Sequence, residues 1–347
     1  MSKAALAPSH PLRIFFISGL LTLATLAWVG FGRGLDALFL VSVLILIELM
    51  FSFDNAIINA RILATMSRFW QQMFMTVGIV IAVFVVRFLF PILLVMLTAG
   101  LSAPAVLDLA INQPDEYART LTHAHPYIAA FGGTFLLMLS LSFFFDPGRK
   151  VLWINVIERP LQRIGKWWIY TGISALTLAA VAISPYNHYP QQTIVAGSLG
   201  IAVYLALHSI TELFGRKQSD RRVTAKSGFA GFMAFLYLQV LDSSFSFDGV
   251  IGAFAITQDV FLIVTGLGIG ALWVRSLTLM MVRRNTLKVY RYLEHGAHYT
   301  IALLALFLLS GLFISIPEAA AGAAGLLVVG ASIISSLQAL KTEDPNF

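Results

Sequence analysis

Long apolar stretches follow one another along almost the whole chain and are separated by short polar segments. Each stretch holds about 20 residues, enough for an α-helix rising 1.5 Å per residue to cross a hydrocarbon core of about 30 Å. The pattern therefore predicts an all-α, polytopic bundle of about ten transmembrane helices. The predicted spans are residues 12–31, 36–60, 73–99, 126–145, 168–184, 193–214, 228–257, 260–283, 299–316 and 319–340.

Composition agrees with a chain whose solvent is the lipid bilayer. Of the 347 residues, 58% are hydrophobic and 12% are charged, whereas charged residues make up about 25% of an ordinary soluble domain. The chain contains no cysteine, which excludes disulfides, thiolate metal sites, iron–sulfur clusters and thiol nucleophiles. Any metal must be bound by oxygen or nitrogen atoms.

The basic residues predict the orientation of the spans. Arg33 and Arg119 lie on the side opposite the termini, and Arg87 and Arg275 fall within spans, so 19 of the 23 basic residues share the side of the termini. Positive charge accumulates on the cytoplasmic side of membrane proteins. We therefore expect cytoplasmic termini in a bacterial inner membrane, and we attribute the net charge of +6 to cytoplasmic loops rather than to nucleic-acid binding.

An internal repeat is the most specific sequence signal. The segment Glu48-Leu-Met-Phe-Ser-Phe-Asp54-Asn55 recurs 194 residues later as Asp242-Ser-Ser-Phe-Ser-Phe-Asp248-Gly249. A second pair of segments begins at Gly78 and Gly266 and ends at Arg87 and Arg275, offset by 188 residues. The repeat divides the membrane domain into residues 1–190 and 191–347.

The number of spans in each half sets their relative orientation. With ten spans, spans one to five repeat as spans six to ten, and an odd number of spans turns the second half over in the membrane. Inverted repeats of this kind are common in secondary transporters, whose substrate site lies where the halves meet. The fold prediction is therefore two inverted five-helix repeats.

Four acids and two arginines fall in the interior of predicted spans, away from the ends. An ionised side chain near the bilayer centre costs about 2.5–3.5 kcal/mol, so these groups must be paired, protonated or bound to something. With all six ionised the formal charge is −2, which one divalent cation, or protons on two carboxylates, would cancel. The six residues are Glu48, Asp54, Arg87, Asp242, Asp248 and Arg275.

Helical spacing predicts unequal contributions from the two copies of the motif. In the first copy Glu48, Ser52, Asn55 and Asn59 share one face of a helix. The corresponding face of the second copy carries Asp242, Ser246, Gly249 and Ala253. Asp54 and Asp248 lie about 120° from these faces in an unbroken helix, so either the helix unwinds or they face another helix. Gly249 and Gly252 favour a break in the second copy, whereas the first copy has no Gly or Pro.

Carboxylate, amide and hydroxyl oxygens without sulfur form a hard site that suits Mn²⁺, Ca²⁺ or Mg²⁺. The predicted ligands are Glu48, Asp54, Asn55, Asn59, Asp242 and Asp248. Arg87 and Arg275 are predicted to clamp Asp54 and Asp248 in the empty carrier. The structural alternative is that the acids only form salt bridges with the two arginines and so set the helix register.

The paired acidic motifs resemble those of the TerC superfamily of integral membrane proteins, in particular its DUF475 branch. The likeness extends from about residue 36 to 316, although Gly249 stands where a serine commonly follows the second aspartate. The resemblance implies a relationship to LysE-like transporters, with members linked to manganese export and tellurium-ion resistance. It also implies an alternative, because some plant relatives are associated with the assembly of membrane proteins.

The functional hypothesis is a secondary transporter that exports Mn²⁺, or Ca²⁺, in exchange for protons. The alternative is an assembly factor or scaffold for membrane proteins, linked to metal or tellurium stress resistance. The chain has no P-loop, G-x-S-x-G or H-E-x-x-H motif, and we expect no enzyme activity and no cofactor. The expected partners are the lipid bilayer and the transported cation, and the oligomeric state is left open.

Overall fold

A computed structural model describes residues 11–216, 225–254, 256–314 and 318–343, with the backbone alone at 12–13, 90, 94, 98, 210–216, 244–248, 251–252, 318–319 and 343. The described chain is helical, and outside its helices it forms a single β-bridge between Met66 and Lys226. The all-α prediction is confirmed. The helices are α1 Pro11–Arg33, α2 Leu35–Phe51, α3 Phe53–Ala64, α4 Arg68–Met75, α5 Val77–Val80, a π-helix Ile81–Leu89, α6 Phe90–Ala99, α7 Ala103–Asn112, α8 Pro114–Phe144, α9 Asn155–Arg163, α10 Trp167–Ile183, α11 Pro190–Arg216, α12 Gly228–Phe254, α13 Val260–Arg283, α14 Thr286–Val289, α15 Leu293–Ser310 and α16 Glu318–Glu343.

Many of these helices are long and apolar enough to cross a membrane. Among the described residues seven helices meet this criterion, or up to nine if each of two bent pairs is one span. The bent pairs are α2 with α3 and α9 with α10. The helical architecture is therefore that of a membrane protein. The count of ten spans, their inversion and the side of the termini stay predictions.

The core forms around α8, which packs against α11 and α15. Aromatic and aliphatic side chains of α8, such as Phe135 and Met138, are fully buried there. By contrast α1 exposes large apolar side chains, among them Phe16, Leu23 and Trp28, as expected of a helix that faces lipid. The protein is thus a central bundle with apolar helices at its periphery.

The two sequence halves pack against each other in a reciprocal way. Helix α2 of the first half lies along α13 of the second half, and α12 of the second half contacts the π-helix of the first. Glycines permit the close approach: a Cβ atom on Gly266 would lie 2.5 Å from Cβ of Leu44, and one on Gly270 would lie 2.5 Å from Cβ of Glu48. Small residues at helix contacts allow membrane helices to approach closely, although no hydrophobic effect drives them together in lipid.

The helix break of the acidic motifs lies in the first copy, which contains no Gly or Pro to indicate one. Helix α2 ends at Phe51 and α3 begins at Phe53, with a bend of 54° between their axes. The predicted break near Gly249 is wrong, because α12 runs unbroken from Gly228 to Phe254. Glycine permits a break but does not cause one. At the observed break, the Ser52 hydroxyl donates a hydrogen bond to Oε1 of Glu48 (3.0 Å), and such local side-chain bonds often accompany helix bends.

Helix α9 turns away from α10 by 113° and is anchored by Glu158. This carboxylate is fully buried, accepts hydrogen bonds from the backbone N–H groups of Trp153 and Ile154, and pairs with Arg149 and His295. Burial alone would raise the pKa of Glu158, but the bonds and charge from His295 and the two backbone groups lower it overall. Glu158 thereby ties α9 to the bundle through a charged contact.

Candidate metal-binding site

The bend at Ser52 brings two acids to one cavity. In a straight helix Glu48 and Asp54, six residues apart, would point about 120° away from each other. In the structure both side chains are buried and line a cavity of about 50 Å³. Since one water occupies about 30 Å³ of liquid, this volume suits a cation with at most a water or two.

Both sequence halves contribute to this cavity, which we call the acidic cavity. Gly249 of α12 faces Glu48, so that a Cβ atom added to Gly249 would lie 3.5 Å from Oε2 of Glu48. At this point the backbone of the second motif, at Gly249, lies beside a carboxylate of the first motif, that of Glu48. The remaining wall comes from Thr300 and Leu304 of α15 and from Ala321, Gly322, Gly325, Leu326 and Val329 of α16.

Glu48 is neutralised by Arg87. The Arg87 guanidinium donates to Oε1 of Glu48 and, through its other terminal nitrogen, to the carbonyl oxygen of Ala82 (2.9 Å). Both side chains are at most 4% exposed, so the pair is removed from water. Arg87 belongs to the nine-residue π-helix, and π-helical turns are rare and frequent at functional sites. No sequence signal predicted this π-helix.

Asp242 forms a second, separate ion pair. Its Oδ2 accepts a hydrogen bond from Arg275 (2.7 Å), and its Oδ1 accepts one from the amide of Asn55 (2.8 Å). Arg275 also donates to the carbonyl oxygen of Phe74 (2.9 Å) and lies over the Phe74 ring. The Asn55 bond joins the first motif to the second across 187 residues of sequence.

The predicted pairing of Arg87 with Asp54 is wrong, because Arg87 pairs with Glu48. Arg275 pairs with Asp242, the earlier acid of the second motif, and its predicted contact with Asp248 stays a prediction. Asp54 is 5% exposed and has no basic partner among the described side chains. The side chain of Asp248 lies outside the described residues. Arg87 reaches Glu48 from the π-helix and Arg275 reaches Asp242 from α13, so in both described pairs the arginine faces the earlier acid of the motif.

The predicted convergence of the acids on one ion is not found in the part of the chain that is described. No group of three or more histidine or acidic side chains there lies within reach of one metal ion. Asp242, Asn55 and Asn59 do not line the acidic cavity, because Asp242 faces Arg275 and Asn55 faces Asp242. The structure thus separates the predicted ligands into Glu48 with Asp54, and a neighbouring polar cluster around Asp242.

That polar cluster contains buried amides without hydrogen-bond partners. Oδ1 of Asn55, both amide atoms of Asn59 and both amide atoms of Gln239 are buried and unpartnered in the described structure. Each such atom costs about 1–3 kcal/mol and is where a water or ion commonly binds. Sequence reasoning missed Gln239. It lies three residues before Asp242 on the same helical face, so extending the stripe by one turn would have found it.

Comparison with known proteins identifies one family. A family model described as "Protein of unknown function (DUF475)" matches residues 53–343. The matched range includes Asp54, Arg87, Asp242 and Arg275 and begins five residues after Glu48. Among curated proteins and among solved structures, none matches the chain.

Proposed function

This chain belongs to the DUF475 family, and we propose that it is a secondary transporter of divalent cations. The proposed direction is export, with Mn²⁺ as the first candidate and Ca²⁺ as the second, in exchange for protons. In this proposal the family is part of the TerC superfamily. The chain lies in a bacterial inner membrane with both termini in the cytoplasm and with ten spans in two inverted five-helix repeats.

The observation that carries the proposal is the placement of Glu48 and Asp54 on one cavity at a helix break. Asp54 is buried without a basic partner in the described structure, and an uncompensated carboxylate in a membrane costs about 2.5–3.5 kcal/mol. Discontinuous helices near the midplane are where secondary transporters bind ions. A buried acid that lacks a counter-charge, beside a cavity of ionic size, supports cation binding.

The formal charges support a divalent ion. Around the two motifs the described buried groups are three acids, Glu48, Asp54 and Asp242, and two arginines, Arg87 and Arg275, which leaves −1. Asp248 in the second motif would bring the total to −2. One divalent cation cancels that charge, and so do two protons, which is the stoichiometric basis for exchange of a metal against protons.

Oxygen donors around the acidic cavity suit a hard cation. Its lining residues include Glu48 and Asp54, which bear carboxylates, and Ser52 and Thr300, which bear hydroxyls. Ions such as Mn²⁺ and Ca²⁺ take carboxylate, hydroxyl and water oxygens. The unpartnered Oδ1 of Asn55 and the unpartnered amide of Asn59 continue this polar stripe along α3. They supply the next oxygen groups on the path of an ion that leaves the cavity.

Arg87 is the internal competitor in this mechanism. While Arg87 pairs with Glu48, the ion pair has no net charge and is stable without metal. A divalent cation in the acidic cavity takes Glu48 from Arg87. When the cation leaves, protons on the aspartates replace its charge, and the ionised Glu48 pairs with Arg87 again. The reciprocal packing of α2 on α13 and of α12 on the π-helix couples this exchange to relative movement of the halves.

Metal flux in proteoliposomes tests the proposal. Wild-type protein is expected to carry Mn²⁺ when a proton gradient is imposed, and Asp54→Asn is expected to abolish that flux because the ion loses an unshared carboxylate. Asp36→Asn is the matched control, since Asp36 is an exposed acid in the first turn of α2. Flux in wild type and control but not in Asp54→Asn supports transport.

Complementation separates the transporter from the assembly factor. The two buried ion pairs, Glu48 with Arg87 and Asp242 with Arg275, are also what a purely structural role of the acids requires. If folded wild-type protein shows no metal flux and Asp54→Asn still rescues cells that lack the protein, the carrier proposal fails and the assembly role gains.

A further inference from the structure

A second and much larger cavity borders the C-terminal half of α3. Its volume is about 930 Å³ and it shares no lining residue with the acidic cavity. Its walls include Ile58 and Arg61 of α3, Tyr204 of α11 and Tyr237 of α12. We call it the basic cavity, and nothing in the proposed transport of cations uses it.

Helix ends and loops form the mouth of the basic cavity. It reaches from the last turn of α3 to Asp146 just after α8, to Lys166 and Trp167 at the start of α10, and to Lys226 just before α12. Trp167 is 62% exposed. Exposed tryptophans beside basic residues are typical of the headgroup level of a membrane, which places the mouth where lipid headgroups or cytoplasmic solutes reach it.

The charges around the basic cavity favour an anion. Three bases, Arg61, Lys166 and Lys226, face one acid, Asp146. Arg61 pairs with Glu294, whereas neither lysine has an acidic partner among the described side chains. Asp146 is itself engaged, because its Oδ1 accepts a hydrogen bond from the backbone N–H of Gly148 (2.8 Å). With Arg61 paired to Glu294, the two lysines outnumber Asp146, so the described lining keeps a net positive charge.

Lys226 is held in place by its backbone. Its N–H donates to the carbonyl oxygen of Thr65 (2.9 Å), and its own carbonyl oxygen accepts from the N–H of Ser67 (2.9 Å). These two bonds tie the segment before α12 to the end of α3, so that the lysine is a fixed feature of the wall. Burial lowers the pKa of Lys226, since the ammonium has lost water without gaining a carboxylate, and a bound anion would offset that loss.

The remaining lining combines hydroxyl-bearing and apolar side chains with two histidines, His208 and His298. Tyrosines 170, 204 and 237 line the cavity together with aliphatic side chains such as Ile62 and Leu139. The Tyr204 and Ser142 hydroxyls share a hydrogen bond of 2.5 Å. A volume of 930 Å³ lies near the upper end of the range of about 300–1,000 Å³ found for small-molecule sites. It exceeds what a small inorganic anion fills, which favours an anion with an apolar body.

We propose that the basic cavity binds a phosphate group through Lys166 and Lys226, with the headgroup of an anionic phospholipid as the favoured source. Basic pockets between membrane helices on the cytoplasmic side recognise such headgroups. The alternative source of the same chemistry is free phosphate from the cytoplasm. The site is separate from the acidic cavity, and its occupancy does not depend on the protein being a cation transporter.

Lipid binding by the purified full-length chain tests this proposal. Native mass spectrometry in neutral detergent, with phosphatidylglycerol or phosphatidylcholine added, measures the preference for the anionic lipid. Wild-type protein is expected to retain phosphatidylglycerol preferentially, and Lys166→Gln with Lys226→Gln is expected to weaken that binding by about tenfold or more, because charged hydrogen bonds are lost. Lys341→Gln, an exposed base at the end of α16, is the matched control and should bind as wild type does.

Competition with inorganic phosphate distinguishes the two sources. Displacement of phosphatidylglycerol by phosphate, or binding of phosphate without any lipid preference, assigns the site to free phosphate, provided that the lysine variants abolish it. Equal binding of both lipids with no binding of phosphate overturns the proposal, and so does a double variant that binds as wild type does. The single variant Lys166→Gln changes an exposed side chain and gives the same readout if the double variant fails to fold.

Discussion

Replacing Arg87 by glutamine tests the competition between arginine and metal for Glu48. Glu48 and Arg87 are 3% and 4% exposed, and removing one partner of a buried ion pair destabilises a protein by about 3–5 kcal/mol. Ser52 still donates a hydrogen bond to Glu48, so we expect the lower end of that range. The variant should unfold at a lower temperature than wild type in metal-free detergent solution.

Added Mn²⁺ should then reverse much of the loss. A ligand that binds only the folded state at 100 times its Kd stabilises it by about 2.7 kcal/mol. Without Arg87 the cation no longer competes for Glu48, so Arg87→Gln should bind Mn²⁺ more tightly than wild type and recover most of its stability. Because unfolding of membrane proteins is often irreversible, apparent midpoints are compared at one fixed scan rate.

Arg275→Gln is the matched control for this measurement. Arg275 and Asp242 are also buried and paired, so the loss of stability should be similar. Asp242 does not line the acidic cavity, and Mn²⁺ should therefore leave the midpoint of Arg275→Gln low. If Mn²⁺ rescues both variants alike, or neither, the assignment of Glu48 as the carboxylate shared between Arg87 and the cation is refuted.

Three further predictions concern packing, pH and topology. Gly270→Ala should destabilise the protein by about 1–3 kcal/mol, because the new Cβ would lie 2.5 Å from Cβ of Glu48. Gly330→Ala is the control, since Gly330 has open space around it, and equal midpoints of the two variants in thermal unfolding would contradict the prediction. The lowered pKa of Glu158 means that its contribution to stability is present above its ordinary pKa of 4.5 and is lost as pH falls through the lower folded value. Wild type should therefore lose stability more steeply than Glu158→Gln below about pH 4.5, and parallel pH profiles would disprove it. Since the chain has no cysteine, Lys341→Cys gives a single thiol, which an impermeant maleimide should label only in inverted vesicles, and labelling of intact cells would reverse the orientation.

The positions of the helices were largely predictable from sequence. Most predicted spans overlap a described helix or bent pair, for example 260–283 with α13 and 168–184 with α10, whereas 73–99 is divided among α4, α5, the π-helix and α6. The reason is local: backbone groups in lipid must be hydrogen-bonded within their own helix, so an apolar run of sufficient length becomes a helix whatever surrounds it. The bend at Ser52 and the π-helix around Arg87 escaped prediction because neither carries a Gly or Pro inside it.

The identity of the special residues was also present in the sequence, whereas their partners were not. The repeat singled out Glu48, Asp242, Arg87 and Arg275, and all four are buried. Which acid faces which arginine depends on contacts between residues 39 and 33 positions apart, and helical spacing is silent about them. Helical spacing likewise predicts Asn55 on the same helix face as Glu48. In the structure α3 packs against α12, and the Asn55 amide donates a hydrogen bond to Asp242 instead.

By itself the sequence determined a helical membrane protein with duplicated acidic motifs, because hydrophobic length and charge burial act residue by residue along one helix. Only the tertiary structure decided that Glu48 and Asp54 share a cavity while Asp242 stands apart. Buried charges in lipid are placed by whichever counter-charge the packing brings within reach, and the close approach of helices at Gly78 and Gly270 sets that choice.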